Sequence, residues 1–248
     1  MTTDYQPAIT SKANKESTMK ITGTKLIRWS GVAAIAAGTI FAGIQPIHPL
    51  DLLSSVTTTH WAIIQALKTS MCIFGLIGLT GLYARQANEA GWLGLVGYLL
   101  FSFFFAHTLP LAYTEAFVLP LLASEAPTFV QGFLGIFNGH PVEMNLGALP
   151  ILYGLSGSIG YVLGGLLFGI ATLRAGVLPR WAAGLLAAGA IAPFVLTMLP
   201  HPLDRAFAVP TGLALIWLGY TLWSERREHA SEPIAAMATA QLRHTGAE

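Results

Sequence analysis

Residues 61–83 read WAIIQALKTSMCIFGLIGLTGLY, with Lys68 as the one charged side chain in the run. About 20 mostly apolar residues are enough to carry a helix across the roughly 30 Å hydrocarbon core of a bilayer. The short polar segment ARQANEA (84–90) follows, and then a second run, WLGLVGYLLFSFFFAHTLPLA (92–112), with Pro110 expected to kink it near its end. Two such runs joined by a short polar turn predict a pair of antiparallel spans. Trp61, Tyr83, Trp92 and Trp181 fall at span ends, where interfacial aromatics are expected.

The rest of the chain extends this pattern. Of its 248 residues 54% are hydrophobic and only 10% are charged, against about 25% in soluble domains. Mean hydropathy is +0.61. So few charges do not cover a water-exposed surface. The net charge of +1 offers no basic face for nucleic acid, so no nucleic-acid partner is expected. The lone cysteine, Cys72, lies in an apolar run and has neither a disulfide partner nor a zinc-ligand spacing.

The expected fold is all-α, an integral membrane bundle of six transmembrane helices. Residues 1–25 are a polar arm with Lys12, Lys15, Lys20 and Lys25, expected to be disordered and cytoplasmic. The domain spans 26–228, with helices at about 27–45, 60–83, 91–112, 148–173, 181–199 and 206–224. A cleaved leader is the rival reading of the first run, but further spans follow it and an uncleaved helix is expected. Residues 229–248 form a second disordered cytoplasmic tail. Between spans three and four, the apolar piece Phe129–Phe137 is too short to cross and is expected at the interface or folded back on the bundle.

Basic residues set the orientation. With the amino terminus inside, the inner side holds Lys12, Lys15, Lys20, Lys25, Arg28, Arg85, Arg174, Arg180, Arg226, Arg227 and Arg243. The outer side holds Arg205 alone, and Lys68 lies within a span. Both termini are therefore expected in the cytoplasm. Glycines mark the helix faces: Gly75, Gly78 and Gly81, then Gly91, Gly94 and Gly97, then Gly154, Gly157, Gly160 and Gly164. Such stripes let backbones approach closely, either within the bundle or against a second copy or another membrane partner.

Three connections carry a shared tetrapeptide. His48-Pro49-Leu50-Asp51 returns as His201-Pro202-Leu203-Asp204 and, varied, as His140-Pro141-Val142-Glu143. Three of seven histidines precede proline, against about 0.4 expected by chance. One reading is a helix-start device, with proline and an acid in the first turn. The other is an outward divalent-metal site for zinc, iron or manganese, with ligands drawn from His48, Asp51, His140, Glu143, His201 and Asp204. No other cofactor is expected. His60 and His107 stand too far apart in depth to clamp one haem, and Ser102, Ser156 and Ser158 lack the setting of a hydrolase nucleophile.

A second constellation lies inside the spans. Counting from Tyr83 and from Trp92, Lys68 and His107 are both about 22 Å from the turn. They are expected at one level, with His60 and Glu115 paired above them and Gln65 and Thr69 beside Lys68. An ammonium at such depth costs about 2.5–3.5 kcal/mol unless it is paired or wetted. The polar intramembrane candidates are therefore Lys68, His107, His60, Glu115 and Gln65.

The segments Leu82-Tyr83-Ala84-Arg85-Gln86, Phe133-Leu134-Gly135-Ile136-Phe137-Asn138-Gly139 and Arg174-Ala175-Gly176-Val177-Leu178-Pro179-Arg180-Trp181 resemble uncharacterised small multi-pass membrane proteins of bacteria. The resemblance covers about residues 26–228. It implies a bacterial plasma-membrane setting and no activity, cofactor or substrate. Three functions stay open: a non-enzymatic membrane component or accessory subunit, a small carrier or channel-like transporter with a polar path near Lys68 and His107, or a metal-dependent enzyme. With no catalytic constellation legible, the balance lies against an enzyme.

Overall fold

The computed structural model describes residues 22–138, 144–195 and 208–224, and every regular element among them is helical. Helix α1 (Gly23–Ile44) starts at Thr22, whose hydroxyl accepts from the Lys25 amide at 3.3 Å. It ends in a 3-10 turn at Gln45–Ile47 that contains Pro46. After the single turn α2 (Leu53–Val56), Thr58 caps α3 (Thr59–Tyr113) by accepting from the Trp61 amide at 3.2 Å. Helix α3 folds back on itself between Gln86 (φ −129°) and Gly91 (φ +56°, ψ −155°). Only glycine occupies that last region without strain, so Gly91 is where the reversal closes.

Beyond Pro110 the second arm of α3 passes into a π turn at Thr114–Val118 and then α4 (Leu119–Leu122). Helix α5 (Pro127–Asn138) is short, about 18 Å. It presses Val130, Phe133 and Leu134 against Val56, Trp61, Leu111 and Leu119, so it folds back over one end of the bundle. Helix α6 (Leu149–Leu155), a second π segment (Ser156–Leu163) and α7 (Gly164–Ala175) make one continuous rod. Gly176 terminates it in the left-handed conformation. Helix α8 (Arg180–Val195) and the helix at 209–224, α9, complete the described chain. Among the described residues, three stretches are long and apolar enough to cross a membrane: Gly23–Ile47, Thr59–Leu122 and Leu149–Ala175.

Close backbone contacts order these rods into a ring. A Cβ on Gly31 would lie 2.7 Å from the Gly219 carbonyl, and one on Gly212 would lie 2.7 Å from the Gly38 carbonyl, so α1 and α9 run antiparallel with their backbones touching. Gly78 fits against the backbone of Ala34, joining the first arm of α3 to α1. The two arms of α3 pack antiparallel, with Tyr83 stacked on Tyr98 at 4.8 Å and Gly75 under the Phe105 ring. Gly164 meets the backbone of Phe101, Gly169 meets Ala187 and Gly189 meets Thr211, which carries the ring through α7 and α8 back to α9. Phe41, Phe101, Phe105, Tyr161 and Phe168 fill the middle. Polar bonds tie the ring across: Gln86 Nε2 donates to Thr172 Oγ1 at 2.8 Å, and the Tyr161 and Thr211 hydroxyls meet at 2.8 Å.

Three sequence expectations change. Tyr83 faces Tyr98, not Trp92, because the helical residues between Gln86 and Gly91 carry the chain further before the second arm begins its return. The expected pairings of Lys68 with His107 and of His60 with Glu115 both give way, since Glu115 meets Lys68 and His60 is exposed. Trp61 is not an interfacial aromatic but fully buried. At the first tetrapeptide the helix-start reading fails, since Pro49 and Asp51 precede α2 and the long helix is capped by Thr58. Much of the two terminal arms, and His140, Glu143, His201 and Asp204, lie outside the described residues.

Candidate functional site

Lys68 and Glu115 form an ion pair, Nζ to Oε2 at 2.5 Å, with side chains 16% and 0% exposed. Their Cα atoms are not level in the hairpin register, and the direction of helical side chains closes the gap. A helical side chain leans toward the amino end of its own helix. On antiparallel arms Lys68 therefore leans away from the Gln86–Gly91 turn while Glu115 leans toward it. The two heads meet between their levels.

Glu115 sits in the π turn, where the ordinary i to i−4 ladder is interrupted and backbone groups need other partners. One is supplied by Trp61, whose indole Nε1 donates to the Glu115 carbonyl at 2.8 Å. This bond explains why a tryptophan is buried at the head of α3: its ring fills the space under α5 and its N–H satisfies the bulged backbone. The pair thus stands where the main aromatic core gives way to the smaller cluster beneath α5.

Lys68 is also part of the wall of a cleft of about 170 Å³. Aromatic and aliphatic side chains (Phe41, Ile44, Met71, Phe104, Leu111 and Phe137) make most of the lining. Polar atoms come from Gln45, His48, Thr108 and Tyr153. The ammonium lies 5.5 Å from the centre of the Phe137 ring, within reach of a cation–π attraction. His48 is held by its Nδ1, which donates to the Pro49 carbonyl at 2.8 Å, since a carbonyl can only accept. Asn138 Nδ2 donates to the Asp51 carbonyl at 2.9 Å and pins the 48–52 segment to the end of α5.

The remaining candidates scatter around this centre. Gln65 is fully buried one turn from Lys68, and among the described residues neither its amide oxygen nor its nitrogen has a hydrogen-bond partner. His107 is half-buried and tilted against Phe103 at 5.8 Å, its Nδ1 unbonded among the described residues, and it is not part of the cleft wall. His60 is exposed near the start of α3. Asp51 is buried close to the bundle end. No three His, Cys, Asp or Glu side chains come together as a metal set among the described residues. A wider groove of about 560 Å³ between α1 and α3, lined by Leu26, Ile27, Leu76 and Ile77, contains no charged group.

Sequence reasoning missed Trp61, Gln45, Thr108, Phe137 and Tyr153 as neighbours of the pair. A tryptophan at a span end reads as interfacial, and only its bond to a π turn marks it otherwise. Comparison of the chain with family models, with curated proteins and with solved structures finds no match.

Proposed function

We propose that this chain is a six-span integral protein of a bacterial plasma membrane, both termini cytoplasmic, that acts as a small carrier with its solute site in the Lys68 cleft. The observation that carries the reading is the Lys68–Glu115 pair at the wall of a cleft between helices. Burying two charges in hydrocarbon costs several kcal/mol per ion even when they are paired. An apolar pair of equal volume would hold the helices together at less cost, so a purely structural role explains it poorly. Ionisable groups inside a membrane bundle commonly mark a solute or proton path.

The membrane setting has independent support. The bundle surface carries exposed Ile63, Ile73, Ile77, Leu99 and Tyr220, a surface suited to lipid and unsuited to water. Trp92 and Trp181, 81% and 83% exposed, stand at the end of the bundle that also bears Arg28, Arg85, Arg174 and Arg180. That matches an aromatic belt with the basic residues inside. The cleft opens at the opposite end, which this orientation makes the outer half. One observation favours an accessory subunit as a second reading: among the described residues, Cβ atoms on Gly154 of α6 and Gly157 of the following π segment would meet nothing within 4 Å, so that rod has an unfilled face.

Thiol accessibility tests the carrier reading. In a Cys72→Ala background, Thr108→Cys on the cleft wall is expected to react with a water-soluble maleimide. Phe74→Cys, on the exposed apolar surface, is expected to stay unreacted in the same membranes. Failure of Thr108→Cys to react would mean that water does not reach the cleft, and the carrier reading would fall.

A further inference from the structure

We infer that the cleft takes a small organic acid as its anion, and that Glu115 releases Lys68 to that anion while binding one proton. The inference rests on the carrier reading and supplies its substrate class. Of the two paired charges only Lys68 is in the cleft wall, and Glu115 is wholly covered. The charge presented to an incoming molecule is therefore positive, and its complement is an anion. Gln45, Thr108 and Tyr153 add hydrogen-bonding groups on the same wall.

The apolar side chains set the rest of the ligand. Phe41, Phe104, Phe137 and Met71 offer ring faces and a polarisable sulfur to a hydrocarbon body. At about 170 Å³ the space is close to the roughly 150 Å³ cavity that accepts benzene. A carboxylate on a short chain or a single ring fits; a nucleotide or a disaccharide does not.

Charge balance then dictates the proton. The resting pair is neutral: one ammonium, one carboxylate. An added anion would leave two negative charges facing one positive charge in a medium where such an excess is strongly disfavoured. A proton taken from water onto a Glu115 carboxyl oxygen restores neutrality, with Lys68 now paired to the solute. No covalent bond other than that O–H forms, and only the Lys68–Glu115 contact is broken. The titratable groups facing this exchange are His48 from the segment after α1 and Tyr153 from α6, on the cleft wall with Lys68, and Cys72 from α3, which lies within the field of both charges. Helix α5 contributes none.

Benzoate and its neutral isostere benzamide are the probes, titrated calorimetrically into the purified full chain in detergent. Benzoate is expected to bind at one site and to take up about one proton, read by repeating the titration in buffers of different ionisation heat. By linkage its affinity should fall about tenfold per pH unit above neutrality. Benzamide is expected to bind at least tenfold more weakly. The Glu115→Gln variant should bind benzoate with no proton uptake and no pH dependence. Wild-type measurements decide the matter even if that variant fails to fold. Equal binding of benzamide, or benzoate binding without proton uptake, overturns the inference. So does absence of benzoate binding in protein whose Thr108→Cys variant is reached by maleimide, an outcome that leaves the carrier reading standing; an unreactive Thr108→Cys removes both.

Discussion

At the scale of single residues, the Lys68–Glu115 contact ties the two arms of α3 together near the cleft. A buried charge left without its partner is far costlier than a missing pair. Glu115→Ala is therefore expected to lower stability by about 3–5 kcal/mol, read as the shift in the unfolding midpoint in detergent. The double variant Lys68→Met with Glu115→Leu should recover most of that loss, because it removes both charges and refills the volume. A double variant no more stable than Glu115→Ala alone would show that the stranded Lys68 charge is not the source of the loss. Lys68 was legible in the sequence as an ion inside an apolar run. Glu115 was legible as a polar candidate near it, but at the level of His60; the π turn that brings it to Lys68 leaves no mark in composition.

At the scale of elements, glycine placement explains which helices touch. Gly31 and Gly38 stand seven residues apart on α1, as do Gly212 and Gly219 on α9, and each pair presses on the other's backbone. Gly157 belongs to a stripe just as visible in the sequence, yet meets nothing within 4 Å among the described residues. Gly38→Leu should separate α1 from α9 and cost several kcal/mol, the scale of core overpacking at a backbone contact. Gly157→Leu should stay within about 0.5 kcal/mol, as surface changes do. Equal effects on the thermal midpoint would refute this division of roles. The stripes could be read from spacing alone, because small residues recur on one helix face. Which stripe meets a neighbour depends on how the rods are arranged around the ring, and that is a property of the whole bundle.

At the scale of the whole molecule, the proposed orientation places Ala84 and Ser124, both exposed, on opposite sides of the membrane. In a Cys72→Ala background, Ser124→Cys is expected to react with an impermeant maleimide in cells whose plasma membrane is accessible but intact. Ala84→Cys should react only after that membrane is permeabilised. The reverse pattern would invert the topology, and labelling of both in intact membranes would break it.

What the sequence determined by itself is the helical class, the long apolar helices, the place of the chain reversal and the gathering of Arg28, Arg85, Arg174 and Arg180 toward one end of the bundle. These follow from counts and periods within single segments, where each residue contributes on its own. Tertiary structure alone decided that Lys68 meets Glu115 and not His107, that Trp61 is buried as a donor to a π turn, and that Phe137 and Tyr153 close a cleft over the ammonium. Those outcomes depend on the register of one arm against another. Gly91 and the helical residues before it set that register, and a shift of a single helical turn would exchange every partner in the site.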